Sequence, residues 1–397
     1  MKYTMFIVGL ALLVGATILV ARDGVKTAPH VAQFSVSFAK AITIGSRVLY
    51  PTSLAAGDIN GDGFPDLAVV GNEDPFLSHG LGKGDGHFDH WGNSGGTGGA
   101  PFFVLLADVD GDGNLDAVTA DAMQRVVAVA FGNGKGNFNR GVKLHTGVGF
   151  AVNQVAVADL NGDGIPDIVG TVRPIGYDPG RIFVLLGTGN RKFKKAIHFS
   201  SGGTQPSGIA VGDLNHDGIP DLVVANNGQY SGPYGSVTVL LGRGDGTFAK
   251  PTHYLKGSRP SQLLLRDFNG DGNLDVAVVG GTERVQVLLG NGDGTFSSSK
   301  SYWAGIAPHA IAAADFNGDG KLDLAVAAPN VSILLGNGDG TFQPPTMFHV
   351  HGHPDNLLVA DFNHDGKPDV ATIETVNSSS FISILLNATQ FPAPQPH

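Results

Sequence analysis

Cysteine is absent from the 397 residues of the chain. The absence excludes a disulfide framework, a thiolate nucleophile and any zinc site built on sulfur. Positive charge is also sparse, since 25 Lys and Arg stand against 35 Asp and Glu for a formal net charge of -10, and the basic residues form no groove for phosphates. We therefore expect no nucleic-acid partner. The sequence holds no G-x-S-x-G elbow and no H-E-x-x-H helix, so it predicts a protein that is not an enzyme.

Glycine, in contrast, is abundant. The chain has 59 Gly and 22 Pro, 42% hydrophobic residues and only 15% charged residues. This composition indicates a turn-dense, strand-rich globular protein with enough apolar residues for an extended core.

The N-terminus predicts export. An apolar run from Met5 to Ala21 follows Lys2 and is closed by Arg22 and Asp23. Residues 1–22 are interpreted as a signal peptide or an N-terminal membrane anchor, with cleavage and retention both open, and residues 23–33 as a linker. The expected location is secreted or cell-envelope, and a bacterial envelope fits an exported protein without cysteine.

A repeat organises the remainder. The pattern D-x-[DN]-x-D-G-x-x-D occurs seven times, and successive starts lie 50, 51, 54, 54, 48 and 46 residues apart. A second signature, LLG-x-GDGTF, keeps the same period and ends at Phe248, Phe296 and Phe342. A period near fifty is typical of a propeller or solenoid rather than of unrelated domains.

Between these signatures lie runs of four to seven residues rich in Val, Ile and Leu, such as "LAVAA" and "VSILLG", which are too short for helices. One repeat then contains four antiparallel strands, A to D, with the acidic loop between A and B. The sequence predicts an all-β, seven-bladed β-propeller over residues 34–391, followed by a tail of residues 392–397. We expect the inner A strands to be the most apolar and strand D to begin at the aromatic residue.

The ends of the chain predict how the ring closes. The last repeat stops near Phe391 without a strand D, whereas "FAKAITIG" at residues 38–45 resembles "FKKAIHFS" at residues 193–200. An N-terminal strand is therefore expected to complete the last blade.

The acidic loops predict metal binding. Oxygen ligands at alternating positions, Gly at the sixth position and a backbone carbonyl at the seventh (Lys321 in the sixth loop) are typical of a calcium site. Asp, Asn and Gly also form tight turns without metal, but turns do not require so many carboxylates in every repeat. The predicted ligands of up to seven Ca²⁺ are Asp58, Asn60, Asp62 and Asp66; Asp108, Asp110, Asp112 and Asp116; Asp159, Asn161, Asp163 and Asp167; Asp213, Asn215, Asp217 and Asp221; Asp267, Asn269, Asp271 and Asp275; Asp315, Asn317, Asp319 and Asp323; and Asp361, Asn363, Asp365 and Asp369.

Seven ions would change the net charge of -10 to about +4. The expected affinity is that of extracellular modules, on the order of 10⁻⁴ to 10⁻³ M. His216 and His364 replace Gly at the fourth loop position and are interpreted as turn residues with positive φ rather than as ligands.

These loops, the Leu-Leu-Gly and Phe signatures and the period resemble the FG-GAP or VCBS repeats of integrin α-subunit propellers and exported bacterial proteins. The resemblance covers roughly residues 34 to 391 and implies a calcium-stiffened extracellular interaction platform. In integrins only some blades carry the loop, whereas all seven repeats carry it here, and nothing matches the rest of an integrin subunit.

Ligand contacts are expected on the face opposite the metals, in the B-to-C and inter-blade loops. The candidate residues there are Trp91, Tyr177, Asp178, Arg181, Tyr230 and Tyr234. Simple solvated loops are the alternative. Trp303 is expected to pack in a D strand. "HVHGH" places His349, His351 and His353 on alternate positions, which suits either an exposed outer strand or a transition-metal site.

The sequence thus predicts a non-enzymatic, exported, calcium-binding propeller that binds a protein or glycan as an adhesion module. A lectin-like or polysaccharide-processing propeller is the alternative, and a scaffold without a small ligand remains open. The expected partners are extracellular proteins or carbohydrates, with membrane contact only through an uncleaved anchor.

Overall fold

The computed structural model describes residues 35–46, 48–95, 99–121, 123–147, 151–173, 179–229, 234–376 and 379–391. Within these ranges the chain forms seven sheets, each of four antiparallel strands. The predicted all-β, seven-bladed β-propeller is confirmed. The expected leader and linker, residues 1–33, and the tail after Phe391 lie outside the described residues. In the described part of the chain, no helix is long and apolar enough to cross a membrane.

The strands are short and evenly spaced, as the apolar runs predict. The first half of the chain contains β1 (Ile42–Gly45), β2 (Pro51–Gly57), β3 (Asp66–Gly71), β4 (Phe76–Gly82), β5 (Phe88–Gly95), β6 (Pro101–Ala107), β7 (Asp116–Asp121), β8 (Val126–Ala130), β9 (Val142–His145), β10 (Ala151–Ala158), β11 (Asp167–Arg173), β12 (Arg181–Leu185) and β13 (Ile197–Ser200). The second half contains β14 (Pro206–Gly212), β15 (Asp221–Gly228), β16 (Tyr234–Leu240), β17 (Thr252–Ser258), β18 (Gln262–Arg266), β19 (Asp275–Val279), β20 (Arg284–Leu288), β21 (Lys300–Trp303), β22 (Ala310–Ala314), β23 (Asp323–Ala327), β24 (Val331–Leu334), β25 (Thr346–Phe348), β26 (His353–Ala360), β27 (Asp369–Val376) and β28 (Ser379–Leu385).

The blades follow one another along the chain. Blade 1 contains β2 to β5, and each next blade takes the next four strands up to β25 in blade 6. The A strands of neighbouring blades contact one another all round, which places them at the axis. Blade 7 takes strands A to C from β26, β27 and β28 and its strand D from β1, with Ile42 opposite Ile384 and Gly45 opposite Phe381. The predicted closure by an N-terminal strand is therefore confirmed.

The core lies between the blades. In the described residues the buried side chains form seven clusters, and each joins two adjacent blades. The cluster at the point of closure joins Leu67 and Val69 of blade 1 to Ile382 and Ile384 of blade 7. Each sheet is therefore apolar on both faces, and no blade can bury its surface alone.

The apolar composition expected of the A strands does not make them the most buried strands, and the expected start of strand D is wrong in most blades. The most buried strands are the B strands, for example β3, in which all six residues are buried, whereas the A strand β10 is half-buried over much of its length. The reason is that A strands line the axial channel and carry polar residues there. Each B strand instead lies between strands A and C of its own sheet and has a neighbouring blade on each face.

Strand D, moreover, begins at the aromatic residue only in blade 1. In the other six blades it begins four residues later, as with Phe342 and β25. The aromatic residue instead forms an isolated bridge, such as that between Phe342 and Gly336, and its buried ring anchors the turn before the strand starts.

Candidate metal centres and the two faces of the ring

Each A-to-B loop is wound around its first aspartate. In blade 6, Asp315 Oδ1 accepts from the backbone N–H of Gly318 at 2.7 Å and of Asp319 at 3.1 Å, and Oδ2 accepts from Gly320 N–H at 2.7 Å. Asn317 Oδ1 also accepts from Asp319 N–H at 2.9 Å. These bonds turn the polar side chains of the loop toward its own interior.

Backbone dihedrals explain the glycine pattern. The sixth-position Gly has positive φ in every loop, as with Gly320 at 80°. At the fourth position His216 and His364 adopt φ of 61° and 57°, as expected of turn residues. His216 Nε2 lies 2.8 Å from Asn273 Oδ1 in the next loop, and the His364 ring lies edge-on to Phe64, so neither imidazole is directed at its own loop.

The ninth-position aspartate has a structural role that the sequence analysis missed. All seven are fully buried. In blade 6, Asp323 Oδ2 accepts from Phe316 N–H at 2.9 Å and Oδ1 accepts from Gly336 N–H at 2.8 Å. The same two bonds recur in every blade, so the carboxylate joins the loop to the end of strand C. The repetition of Asp at the first residue of each B strand was the available signal.

Burial makes these carboxylates costly to ionise. Burial, reinforced by the negative charges of two other aspartates in the same loop, raises the pKa of Asp116, Asp275 and Asp369 to about 6 and that of Asp323 to about 7. The pKa values of Asp66, Asp167 and Asp221 are raised for the same reasons. Each loop thus concentrates negative charge, and a bound cation would offset the repulsion among its carboxylates.

The donor set fits a hard divalent cation. The closest grouping of carboxylates is in blade 2, where oxygens of Asp108, Asp110 and Asp116 all lie within 4.8 Å of one another, although there Asp110 also accepts a hydrogen bond from Arg191. The other loops have Asn in place of the second of these residues and offer an amide oxygen there. A carboxylate has about four lone-pair directions, so the ninth aspartate can accept two N–H groups and still contact an ion. Oxygen donors alone are what calcium prefers.

Blade 2 differs from the others in that a basic side chain reaches its loop. Arg191, from the C-to-D turn of blade 3, donates from Nε to Asp110 Oδ2 at 2.5 Å and from Nη2 to Asp112 Oδ2 at 3.3 Å. Its guanidinium carbon lies 4.4 Å from the centre of the Phe131 ring.

The A-to-B loops and the C-to-D turns share one face of the ring, as predicted. Gly136 N–H of blade 2 donates to Ile59 O in the loop of blade 1 at 3.2 Å, and Gly340 N–H donates to Phe268 O in the same way. Each turn therefore lies against the acidic loop of the preceding blade.

The opposite face opens into an axial cavity of about 690 Å³ that the sequence analysis did not predict. It lies where the A strands begin, because every blade contributes a residue from that end of its A strand. These residues are Thr52, Phe102, Asn153, Ser207, Gln262, Ala310 and Asn356. The available signal was a polar amide just before the apolar run of an A strand, as in "NQVAVA" and "SQLLLR".

Of the predicted ligand residues, the structure describes the side chains of Trp91 and Arg181. Trp91 lies in strand β5, not in an inter-blade loop, and its ring packs against the cluster between blades 7 and 1. This corrects its expected place, because the D strand of blade 1 extends through "HWGNSG". Arg181 is exposed at the start of β12 and does not line the axial cavity. Tyr177, Asp178 and Tyr230, like the side chain of Tyr234, lie outside the described residues.

The three histidines of the "HVHGH" motif do not lie on one face of a single strand. His349 follows β25, and its Nδ1 lies 2.8 Å from Asn330 Oδ1, whereas the His351 ring packs on Phe381 and His353 begins β26. The outer-strand interpretation is corrected, because the chain turns between two strands here. Among the described residues the three imidazoles also do not form a group that could hold a metal ion. Trp303 does lie in a D strand, but 42% of it is exposed, so it packs only in part.

Seven four-stranded blades with a repeated oxygen-rich loop define a class of β-propeller. The chain belongs to the FG-GAP-like repeat family, whose profile matches residues 58–119, 108–170, 172–224, 267–326 and 326–372, together more than half of the sequence. The resemblance inferred from the loops and the period is confirmed.

Several curated relatives are integrins. Integrin alpha-PS5 of Drosophila melanogaster is 38% identical over 144 residues, covering 31% of this chain and 14% of that protein. Integrin alpha-6 of Homo sapiens is 37% identical over 118 residues, or 27% of this chain and 10% of the integrin. Phosphatidylinositol-glycan-specific phospholipase D of Rattus norvegicus is 31% identical over 148 residues, or 31% and 18%. The match spans less than a fifth of the length of each of these relatives.

Two solved structures share the fold. One is a lectin of Agrocybe aegerita that specifically recognises non-reducing terminal N-acetylglucosamine, with a TM-score of 0.51, 21% identity and coverage of 77% of this chain and 80% of the lectin. The other is the biofilm matrix protein Bap1 of V. cholerae, with a TM-score of 0.51, 13% identity and coverage of 88% and 91%. At these identities the likeness concerns the fold alone.

Proposed function

We propose that this protein is a non-enzymatic, exported binding module in which calcium ions in the A-to-B loops stabilise the ring, and that its ligand is an extracellular protein or glycan. The observation that carries the proposal is the sevenfold recurrence of an inward-turned oxygen donor set beside a buried carboxylate of raised pKa. Calcium would supply the positive charge that offsets the repulsion among these groups.

The division of the ring into two faces supports a binding role. The acidic loops and C-to-D turns occupy one face, where ions would act on stability. The other face has a cavity within the size range of ligand sites, about 300–1,000 Å³, and is open for a partner. The curated relatives include integrins, and the similar folds include a lectin and a biofilm matrix protein.

Export rests on the apolar run of residues 5 to 21, and the absence of cysteine is compatible with it. A polysaccharide-processing activity is the second candidate from the sequence. It has less support, because the acidic groups of the repeats are engaged in the loops and in joining loops to C strands.

Two measurements test the proposal. Thermal unfolding in Ca²⁺ and in excess chelator tests the structural ion, because a ligand bound only by the folded state raises the melting temperature by mass action. A glycan array probed under the same two conditions tests the binding role. Identical melting in both solutions would reject structural calcium, and turnover of an acidic polysaccharide would reject the non-enzymatic role.

A further inference from the structure

The axial cavity has the chemistry of a binding site for an uncharged polar ligand. Its wall is rich in carboxamide side chains, since seven of the lining residues are Asn or Gln, among them Gln154, Gln205 and Gln262. Its formal charge is nearly balanced. Among the described lining residues, Arg173 is positive and Asp355 is negative, and His309 is the other titratable side chain. A strongly anionic or cationic ligand therefore finds no excess of opposite charge there.

The amides are held in fixed orientations by the neighbouring blades. Gln154 Oε1 accepts from Ile209 N–H at 3.1 Å, and Gln262 Oε1 accepts from Ile311 N–H at 2.8 Å. Each bond joins the A strand of one blade to that of the next. Each oxygen keeps a second lone pair and each amide its two N–H donors, so both side chains can donate to a ligand and accept from one. Such preset donors lower the entropy cost of binding.

A second feature is an exposed aromatic ring in the lining of the same cavity. Phe102, near the start of β6, lines the cavity and is 43% exposed. An exposed apolar ring is stabilised when the apolar face of a ligand covers it and removes it from water. Arg173 Nε donates to Gln205 Oε1 at 2.9 Å, which fixes the guanidinium with its other N–H groups still available as donors.

A ligand with hydroxyl groups around its edge and apolar C–H faces satisfies all these groups at once. We propose that the axial cavity binds the end of an uncharged saccharide, with one sugar face on Phe102 and its hydroxyls on the amides of Gln154 and Gln262. This inference rests on the proposed binding function and assigns it a site and a ligand class.

The test compares Phe102→Ala with Phe76→Ala in the full chain. Phe76 is a matched control, because it is 44% exposed at the start of β4 and does not line the cavity. The probes are the methyl glycosides of glucose, galactose and N-acetylglucosamine, followed by saturation-transfer NMR and calorimetry. Gln262→Leu is a second variant that removes the amide.

We expect Phe102→Ala to weaken binding at least about tenfold, or 1.4 kcal/mol, and Phe76→Ala to bind like the wild type. Equal binding by both variants would overturn the cavity as the site while leaving the binding function intact. If the wild type binds none of the uncharged glycosides, the saccharide assignment is overturned, and a protein ligand is left as the form of the proposed function. Melting curves identify any variant that fails to fold. If Phe102→Ala fails to fold, weaker binding by Gln262→Leu supports the cavity as the site, and unchanged binding overturns it.

A separate observation concerns the loop of blade 2, which departs from the repeat at three places together. Asp110 stands where the other loops have Asn, giving this loop four carboxylates. Arg191 replaces the Gly found at this position of the C-to-D turn in the other blades that have the turn, such as Gly246, which lies against Leu186. Phe131 stands where the partner is otherwise Leu, and it carries the guanidinium on its ring.

Arg191 links the three changed residues, because it pairs with Asp110 and its guanidinium lies over the Phe131 ring. The Asp110 side chain is 5% exposed and is paired with Arg191. The added carboxylate, the added cation and the ring that supports it therefore compensate one another. We infer that Arg191 acts as a built-in cation for this loop, in place of a divalent ion, so that the protein binds six calcium ions rather than seven. This inference rests on the proposed role of calcium in the other loops.

Equilibrium dialysis of the full chain against saturating Ca²⁺, at concentrations above the dissociation constants expected here, on the order of 10⁻⁴ to 10⁻³ M, followed by atomic absorption to count the bound ions, tests the inference. We expect six ions for the wild type and seven for Arg191→Gly. The control is Arg243→Gly, which removes an exposed arginine from the corresponding turn of blade 4 and should leave six. Arg191→Gln, which removes the charge but keeps most of the side chain, should also give seven.

Seven ions in the wild type, or the same count before and after loss of Arg191, would overturn this inference alone. No bound ion in any variant would instead reject the proposed role of calcium. The two failures are therefore distinguishable.

Discussion

Removal of the N-terminal strand should open the ring. Residues 35–45 complete blade 7 through β1, and their contacts set the size of the effect. Ala39 N–H donates to Leu386 O at 2.8 Å, and Ala388 N–H donates to Ser37 O at 2.9 Å, beside the ladder between β1 and β28. Ile42 and Ile44 pack in the cluster between blades 7 and 1.

The expected loss is a large part of the stability. Each backbone hydrogen bond is worth about 0.5–1.5 kcal/mol net, and each half-buried apolar side chain roughly half of the 1.5–3 kcal/mol for full burial. Phe38 adds contacts with two rings, its centroid lying 6.1 Å from that of Phe316 and 4.8 Å from that of Phe348. The sum is at least about 4 kcal/mol against a typical total of about 5–15 kcal/mol.

The assay is urea unfolding of a chain lacking residues 1–45, compared with one lacking residues 1–34. Fluorescence is informative because Trp91 packs in the cluster at the closure, whereas Trp303 lies in blade 5. We expect the longer deletion to lower the midpoint sharply and to expose Trp91 first. Equal midpoints for the two deletions would refute the argument that this strand holds the ring closed. Phe38→Ala in the full chain should cost about 2 kcal/mol, less than the 3–5 kcal/mol of a fully buried Phe.

Three further predictions concern the loops. Asp319→Ala should reduce the calcium-induced rise in melting temperature and weaken its own blade first, as hydrogen exchange would report; an unchanged rise would contradict a ligand role. Gly320→Ala should cost about 1–2 kcal/mol because φ is positive there, whereas Gly45→Ala, which meets an equally open space at negative φ, should be nearly neutral; urea midpoints decide, and equal effects would contradict the strain argument. Raised carboxyl pKa values mean that the folded, metal-free state binds more protons than the unfolded state, so their contribution to stability grows as pH falls from about 8 to about 5, and protons then compete with calcium. The stabilisation by Ca²⁺, measured as the difference in melting temperature with and without the ion, should therefore shrink as pH falls over this range. The lowered pKa of the buried His79 has the opposite effect on stability, but this effect is present with and without Ca²⁺ and cancels in the difference. A difference that stays constant with pH would contradict the prediction.

The architecture could be predicted from the sequence because short sequence signals specify each strand and turn, and because these signals recur in every repeat. The acidic loop, the Gly-Asp-Gly turn and the apolar runs between them fix strand number and order, and the surplus segment at residues 38–45 predicts the closure. Repetition also gave the loop residues, since one loop alone would have been ambiguous with an ordinary turn.

What the sequence did not predict arises from contacts between repeats. The burial of the B strands depends on the two neighbouring blades, and the axial amides become a wall only when seven A strands meet. Arg191 and Asp110 are 81 residues apart, so nothing local connects them. Likewise, the double acceptor role of Asp323 requires the end of strand C, which the loop sequence does not contain.

Anomalous diffraction from crystals grown in Ca²⁺ would locate the ions themselves. We expect peaks inside the A-to-B loops, about 2.3–2.6 Å from the oxygens at the first, third and fifth positions, with the loop of blade 2 occupied by Arg191 instead. Loops without peaks, with carboxylates turned outward to solvent, would contradict the proposed role of calcium.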